Sequence, residues 1–281
     1  MALRINYNYE SISAQRNLTG TQSSFFKAIE QLSSGLRINR AADDAAGLAV
    51  SEKLRNQVRG LNQAQRNAQD GISLLQTAEG ALSETHSLLG RMRELAVQSA
   101  NDTLSNSDRL HIQNEVNQLL SEVDRIANAT QFNKIPLLTG AGVITSLNLQ
   151  VGANSEPSPS NGSNQITISI ANSNTTGLSI ASLLLATQTA ANAAIDTLDT
   201  AIETISTTRG KIGAYQNRLD SMFNSLGVAS ENAGAANSRI RDADVAKAVS
   251  EMVRTQILQQ STMAVLAQAN QAPQMALQLL K

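Results

Sequence analysis

Proline sets the tightest limit on what this chain can fold into. None occurs from Met1 to Ile135 and none from Ser160 to Ala272, while Pro136, Pro157 and Pro159 gather in the centre. Proline lacks an amide donor and clashes with the preceding helical turn, so long proline-free stretches can run as helix and a proline cluster interrupts them. Both flanks also carry apolar residues at helical spacing for longer than an ordinary globular helix needs. The chain therefore reads as mainly α: a long antiparallel helical bundle or coiled coil with a small central β-hairpin region. Helical arms at both ends suit packing against copies of the same chain along an axis better than they suit enclosing a substrate.

Composition narrows the function further. The 281 residues contain only 2% aromatics, no Trp and no Cys. Ala, Leu, Ile and Val must fill the core, which suits helices meeting in narrow seams with small residues between them. Without Cys there is neither a disulfide framework nor thiolate chemistry. A net charge of -1, with no basic cluster interleaved with aromatics, argues against a nucleic-acid partner. No stretch is apolar enough to span a bilayer. The opening, Met1 to Tyr9, lacks the basic, apolar and small-residue regions of a cleaved signal. Export, if it occurs, is expected to read no such signal.

Leu18, Phe25, Ile29, Leu32 and Leu36 form a first stripe, broken at Gly35. Asp43 and Asp44 precede the next run as acids do at a helix start. That run places Leu54, Val58, Leu61, Ala68, Ile72, Leu75, Leu82 and Leu89 on one heptad frame, with Gln65, Glu79 and His86 at the remaining seam positions. As one helix, Ala45 to Ser99 would extend about 80 Å. Asn101–Asn106 reads as a turn, and Ser105 with Asp108 as a capping box opening a helix that carries Ile112, Val116, Leu119, Val123 and Ile126 and ends near Asn128.

In the centre the period changes to two. Ile144, Leu147, Leu149 and Val151, then Ile166, Ile168 and Ile170, alternate with polar residues as the strands of one hairpin with a long loop. Helix is expected again from about Ser182. There Ile195, Leu198, Ile202, Ile205, Arg209 and Ile212 hold one frame, and Ile212, Tyr215, Leu219, Met222 and Leu226 a frame slipped by one residue near Gly210 and Gly213. Ser230 to Arg241 reads as a small polar bridge. Asp242 or Asp244 caps a last helix running towards Pro273, and from Thr255 to Leu280 that segment has no charged residue. A helix solvated on its own rarely dispenses with charge over so many turns, so this tail is expected to be disordered alone or buried against other chains.

No catalytic, cofactor or metal motif is found. His86 and His111 are the only histidines. Each reads as a polar residue on a helix, and Asp43 and Asp44, adjacent on a helix, point in different directions. No cofactor, metal or enzymatic activity is expected.

Four segments carry a family resemblance. Leu32–Ala49 (LSSGLRINRAADDAAGLA) and Arg91–Asn101 (RMRELAVQSAN) resemble the amino-terminal signature of bacterial flagellins. Gln256–Gln260 (QILQQ) and Val265–Gln271 (VLAQANQ) resemble their carboxyl terminus. The likeness covers about Met1 to Leu138 and Thr189 to Lys281. It implies a subunit that self-assembles into an extracellular filament for motility. Residues 1–39 with 241–281 would form the inner coiled-coil domain. Residues 40–240 would form the helical bundle, with a short β-rich insert at about 139–178.

By the same resemblance, Leu18, Phe25, Ile29, Leu32, Ile257, Leu258 and Leu266 form the polymerisation seam. Arg91, Leu95 and Glu115 match the patch that an innate Toll-like receptor reads in some flagellins. The implied partners are further copies of the chain, the flagellar export apparatus, an export chaperone at the carboxyl-terminal segment, and the hook-junction and cap proteins. The central stretch is too short for large outer domains. A hook–filament junction protein is the nearest alternative, and an intracellular coiled-coil scaffold a more distant one.

Overall fold

The computed structural model describes residues 7–139, 146–155 and 164–279, with side chains to residue 271. Its elements in chain order are α1 (Tyr9–Ser34), α2 (Ala45–Ser99), α3 (Asn106–Ala129), β1 (Gln131–Phe132), β2 (Ile135–Pro136), β3 (Leu147–Gln150), β4 (Gln165–Ile168), α4 (Gln188–Arg241) and α5 (Val245–Leu279). They fall into two compact units. Met1–Asn56 and Asn232–Lys281 form a terminal unit, and Gln57–Glu231 a central one.

Local sequence explains the helix ends. Asn8 accepts the Ser11 amide at the start of α1, and Gly35, in the left-handed region at φ 70°, returns its amide to the Gln31 carbonyl at the other end. Asp44 accepts the Gly47 amide at 2.8 Å and so caps α2. Asp43 instead holds the connector, taking the amides of Asn39 and Arg40 and pairing with Lys27 at 2.7 Å. The capping box opens α3: Ser105 accepts from the Asp108 amide and Asp108 from the Ser105 amide. Of the two candidate caps for α5, Asp244 does the work by accepting the amides of Ala246 and Lys247. The α5 helix runs past Pro273 to Leu279.

In the central unit, α2 and α4 pair antiparallel. Asn62 meets Ser230, Glu79 meets Gln216 and Arg93 meets Asp199, so the contacts ascend one helix as they descend the other. The α2 seam is Leu61, Ala64, Ala68, Gly71, Leu75, Ala78, Leu82, Thr85, Leu89, Met92, Ala96 and Ser99, stepping by three and four, and all are buried. The alternate positions expected from sequence, Gln65, Ile72, Glu79 and His86, lie one residue off this seam and are half-buried.

On α4 the buried residues are Ala191, Ala194, Leu198, Ala201, Ile205, Thr208, Ile212 and Leu219, with Tyr215 and Met222 packed beside them. This is one unbroken frame. The slip expected near Gly210 and Gly213 does not occur, because Ala194, Ala201 and Thr208 occupy the seam where Ile195, Ile202 and Arg209 were expected. Small side chains allow the backbones to approach closely, and the larger neighbours pack on the flank.

Two other expectations about α4 are corrected. The helix begins at Gln188 rather than near Ser182. Residues 183–185 are held instead by side chains: Gln113 donates to the Leu183 carbonyl and accepts the Leu185 amide, and Ser99 donates to the Leu185 carbonyl. With its backbone groups satisfied from outside, this segment has no need of helical bonds. Ser230 to Arg241 is helix to its last residue. Arg239 and Arg241 in the last turn stabilise that end, where the helix dipole favours cations.

The expected hairpin is β3–β4, antiparallel with Leu147 opposite Ile168 and Gln150 opposite Gln165. Ile144 and most of its loop lie outside the described residues. Ile166 and Ile168 face the core, and on the other face Thr167 donates to Asn148 at 2.7 Å. The hairpin lies against α2 at two glycines. A Cβ at Gly71 would stand 2.4 Å from Leu149 Cδ1, and one at Gly60 would stand 2.9 Å from Ala153 Cβ. A second hairpin, β1–β2, was not expected. Its two-residue turn holds Asn133 and Lys134 at φ 50° and 66°, the conformation that matches strand twist in tight hairpins.

Candidate assembly surfaces

The terminal unit is built on α1 and α5. They run antiparallel: Asn8, before α1, donates to the Ala269 carbonyl, while at the other end Leu36 bridges Asp242 and Ala243 donates to the Gly35 carbonyl. The covered positions of α5 are Ala248, Met252, Thr255, Gln259, Thr262, Leu266 and Ala269, in strict alternation of four and three. Every other described side chain of α5 through Gln271 is exposed. The matching row on α1 is Ala14, Leu18, Thr21, Phe25 and Ala28, all buried or half-buried.

The expected polymerisation residues divide accordingly. Leu18, Phe25 and Leu266 lie on the α1–α5 seam. Ile29, Leu32, Ile257 and Leu258 are exposed, Ile257 at 60%. Ala28, 3% exposed, takes the seam position that the sequence stripe gave to Ile29. The sequence reading followed the larger side chain, whereas the close approach of two helices selects the smaller one. The same geometry turns Phe26, Val245, Val249, Val253 and Val265 outward. So much apolar surface on one helix pair marks an interaction face.

The second expected site lies at the α2–α3 corner. Arg91 donates to Glu115 at 2.9 Å and to Glu94 at 3.2 Å. The hydrogen bond to Glu115, and then that to Glu94, raises the Arg91 guanidinium above its ordinary value. On the side of α2 that meets α4, Arg93 pairs with Asp199, which lowers the Asp199 carboxyl. Leu95 does not join this surface. It is 2% exposed and belongs to the core with Met92, Ala96 and Ile112. The expectation of one exposed patch fails there because Leu95 is turned inward under the turn that α3 closes.

Arg109 had drawn no attention in the sequence. Buried, it donates to the carbonyls of Ser99 and Asn101 and to Asn106, and so holds the α2–α3 turn. Its only signal is an arginine three residues inside a capped helix start. His111 is exposed and His86 half-buried. Among the described residues no cluster of His, Cys, Asp or Glu could hold a metal ion, and no helix is long and apolar enough to cross a membrane.

The two ends of the chain match known families. Residues 5–142 match the bacterial flagellin N-terminal helical region, and residues 195–280 the bacterial flagellin C-terminal helical region. A flagellin of Halalkalibacterium halodurans is 49% identical over 277 residues, 99% of each chain. The chain belongs to the bacterial flagellin family. Another similar flagellin-family protein, the flagellar filament 30.7 kDa core protein of Treponema maltophilum, is 47% identical over 98% of this chain and 99% of its own. A Vibrio parahaemolyticus chain described as a flagellar hook-associated protein shares the fold at a TM-score of 0.58, with 16% identity over 71% of this chain and 100% of that one. At that identity the likeness concerns the fold alone, and flagellin-family membership rests on the near-full-length relatives.

Proposed function

We propose that this chain is the structural subunit that self-assembles into the bacterial flagellar filament. The observation that carries the reading is α5: a helix covered along one narrow seam, exposed elsewhere through Gln271, and uncharged from Thr255 to its end at Leu279. Such a surface is stable in water only when other chains cover it. Full-length relatives named as flagellin and filament core protein support the filament over the hook junction.

Within that role, residues 1–39 and 241–281 form the inner coiled-coil domain, and residues 40–240 the helical bundle domain with its short β-rich insert at about 139–178. Ile29, Leu32, Ile257 and Leu258 contact neighbouring copies, while Leu18, Phe25 and Leu266 hold α1 to α5. The subunit leaves the cell through the flagellar export apparatus, with a chaperone shielding the uncharged carboxyl-terminal segment. It meets hook-junction and cap proteins at the ends of an extracellular filament. Arg91 and Glu115 provide the surface that a host Toll-like receptor reads on the free subunit, with Leu95 supporting them from beneath. The role is structural and uses no catalytic chemistry.

Negative-stain imaging of the purified chain, concentrated with an excluded salt such as ammonium sulfate, tests the reading. Long filaments of uniform width are expected. Short caps or unassembled protein under all such conditions would contradict it.

A further inference from the structure

The ion pairs of the terminal unit leave one acid over. Among its described residues, Glu30, Asp43, Glu52 and Glu251 pair with Arg40, Lys27, Arg241 and Arg254. Asp44 and Asp244 cap helices, and Asp242 accepts from Ser238. Glu10, exposed in the first turn of α1, is the one acid there with no partner among the described residues.

Of the cations of this unit that enter no ion pair among the described residues, Arg16, Arg37, Lys53, Arg239 and Lys247, only Arg16 lies within α1. Arg16 is the only charged residue between Glu10 and Lys27, and the sequence is uncharged from Thr255 to Leu280. Arg16 is exposed and takes part in no ion pair among the described residues. It lines, with Gly20, Ser24, Thr255 and Leu258, a groove of about 470 Å³ between α1 and α5.

Resting on the subunit role proposed above, we infer that Glu10 of one copy pairs with Arg16 of the next, so that α1 carries both halves of a contact between neighbouring subunits. Six helical residues separate the two by about 9 Å along the axis and about 120° around it. They therefore face different ways. A two-fold contact needs the same patch on both partners, whereas two complementary patches on different faces join copies head to tail and leave the assembly open to growth. Covering the apolar faces of α1 and α5 draws Arg16 out of water, and a buried charge without a partner strongly opposes association. No other charge on this stretch of either helix can compensate it. The position of Glu10 also suits the helix dipole, which favours an acid in the first turn.

The test uses the full chain and reads the critical concentration for polymerisation by sedimentation. Arg16→Glu and Glu10→Arg each raise it at least tenfold, and the chain carrying both exchanges returns to within threefold of the parent. Arg16→Gln keeps most of the stem and removes the charge. It raises the critical concentration while helicity by circular dichroism stays at the parent's level. Either single exchange within twofold of the parent, or a double exchange no better than the worse single one, overturns the inference. A parent chain that forms no filaments overturns the subunit role instead.

Discussion

Arg91 on α2 donates to Glu115 on α3 at 2.9 Å, with Leu95 buried in the core one helical turn further along. The three residues thus do different work. Leu95→Ala removes a fully packed side chain and costs about 2–5 kcal/mol, read as a lowered denaturant midpoint of the monomer. Arg91→Ala leaves that midpoint near the parent's, since exposed ion pairs add little to stability, yet lowers receptor signalling by monomer at least tenfold. If Leu95→Ala signals poorly at an unchanged midpoint, Leu95 belongs to the contact surface after all.

Leu219 tests the continuous α4 frame. It is fully buried and lies in van der Waals reach of the bare backbone at Gly71. Leu219→Ala should cost about 2–5 kcal/mol in the same measurement. A change below about 0.5 kcal/mol is what a surface position would give.

The glycines of α2 separate packing from helix propensity. Nothing stands within 4 Å of a Cβ built at Gly80, so Gly80→Ala should stabilise the monomer by about 1 kcal/mol. At Gly60 the new methyl would meet Ala153 Cβ at 2.9 Å and Cα at 3.2 Å. Overpacking of about 1–3 kcal/mol then outweighs the helical gain, and Gly60→Ala should lower the thermal midpoint. Equal rises in both variants would mean that the hairpin loop does not rest on α2.

Acid should weaken the monomer in a definite window. Arg241 lowers the Glu52 carboxyl from its ordinary 4.5, and Lys27 and then the Arg40 amide lower Asp43 from 3.8. Asp108, through Ser105, and Asp199, through Arg93, shift the same way. Folded values below unfolded ones contribute stability that is fully present above the unfolded value and is lost as pH falls through the folded value. Stability should be level from pH 7 to about 5 and decline below about 4. Glu52→Gln and Asp199→Asn should make that decline shallower. An equally steep decline in both variants would assign the acid response to other groups.

Much of this fold is legible in the sequence because helix ends and strand periods are written locally. Ser105 with Asp108, Asp44, Gly35 and the alternation through Ile166 and Ile168 each act within a few residues. The seam was harder to read. Its alternate positions are Ala64, Gly71, Ala78 and Thr85 on α2, and Ala194, Ala201 and Thr208 on α4, whose neighbours are often larger and draw a hydrophobic frame one residue off. The sequence leaves Leu95 open between core and surface for a related reason: a leucine at the end of one helix can serve either until the next helix is placed. The 183–185 segment is held by Gln113 and Ser99, some 70 or more residues away in sequence, and local pattern carries no trace of that.

The central claim is that the helix pair α1–α5 exists to be covered by other copies. Deleting residues 256–281 tests it most directly, with filament formation followed by sedimentation and electron microscopy, and folding by circular dichroism. The claim predicts a soluble, helical chain that forms no filaments at any concentration at which the parent polymerises fully. Filaments of normal length from the shortened chain would contradict it.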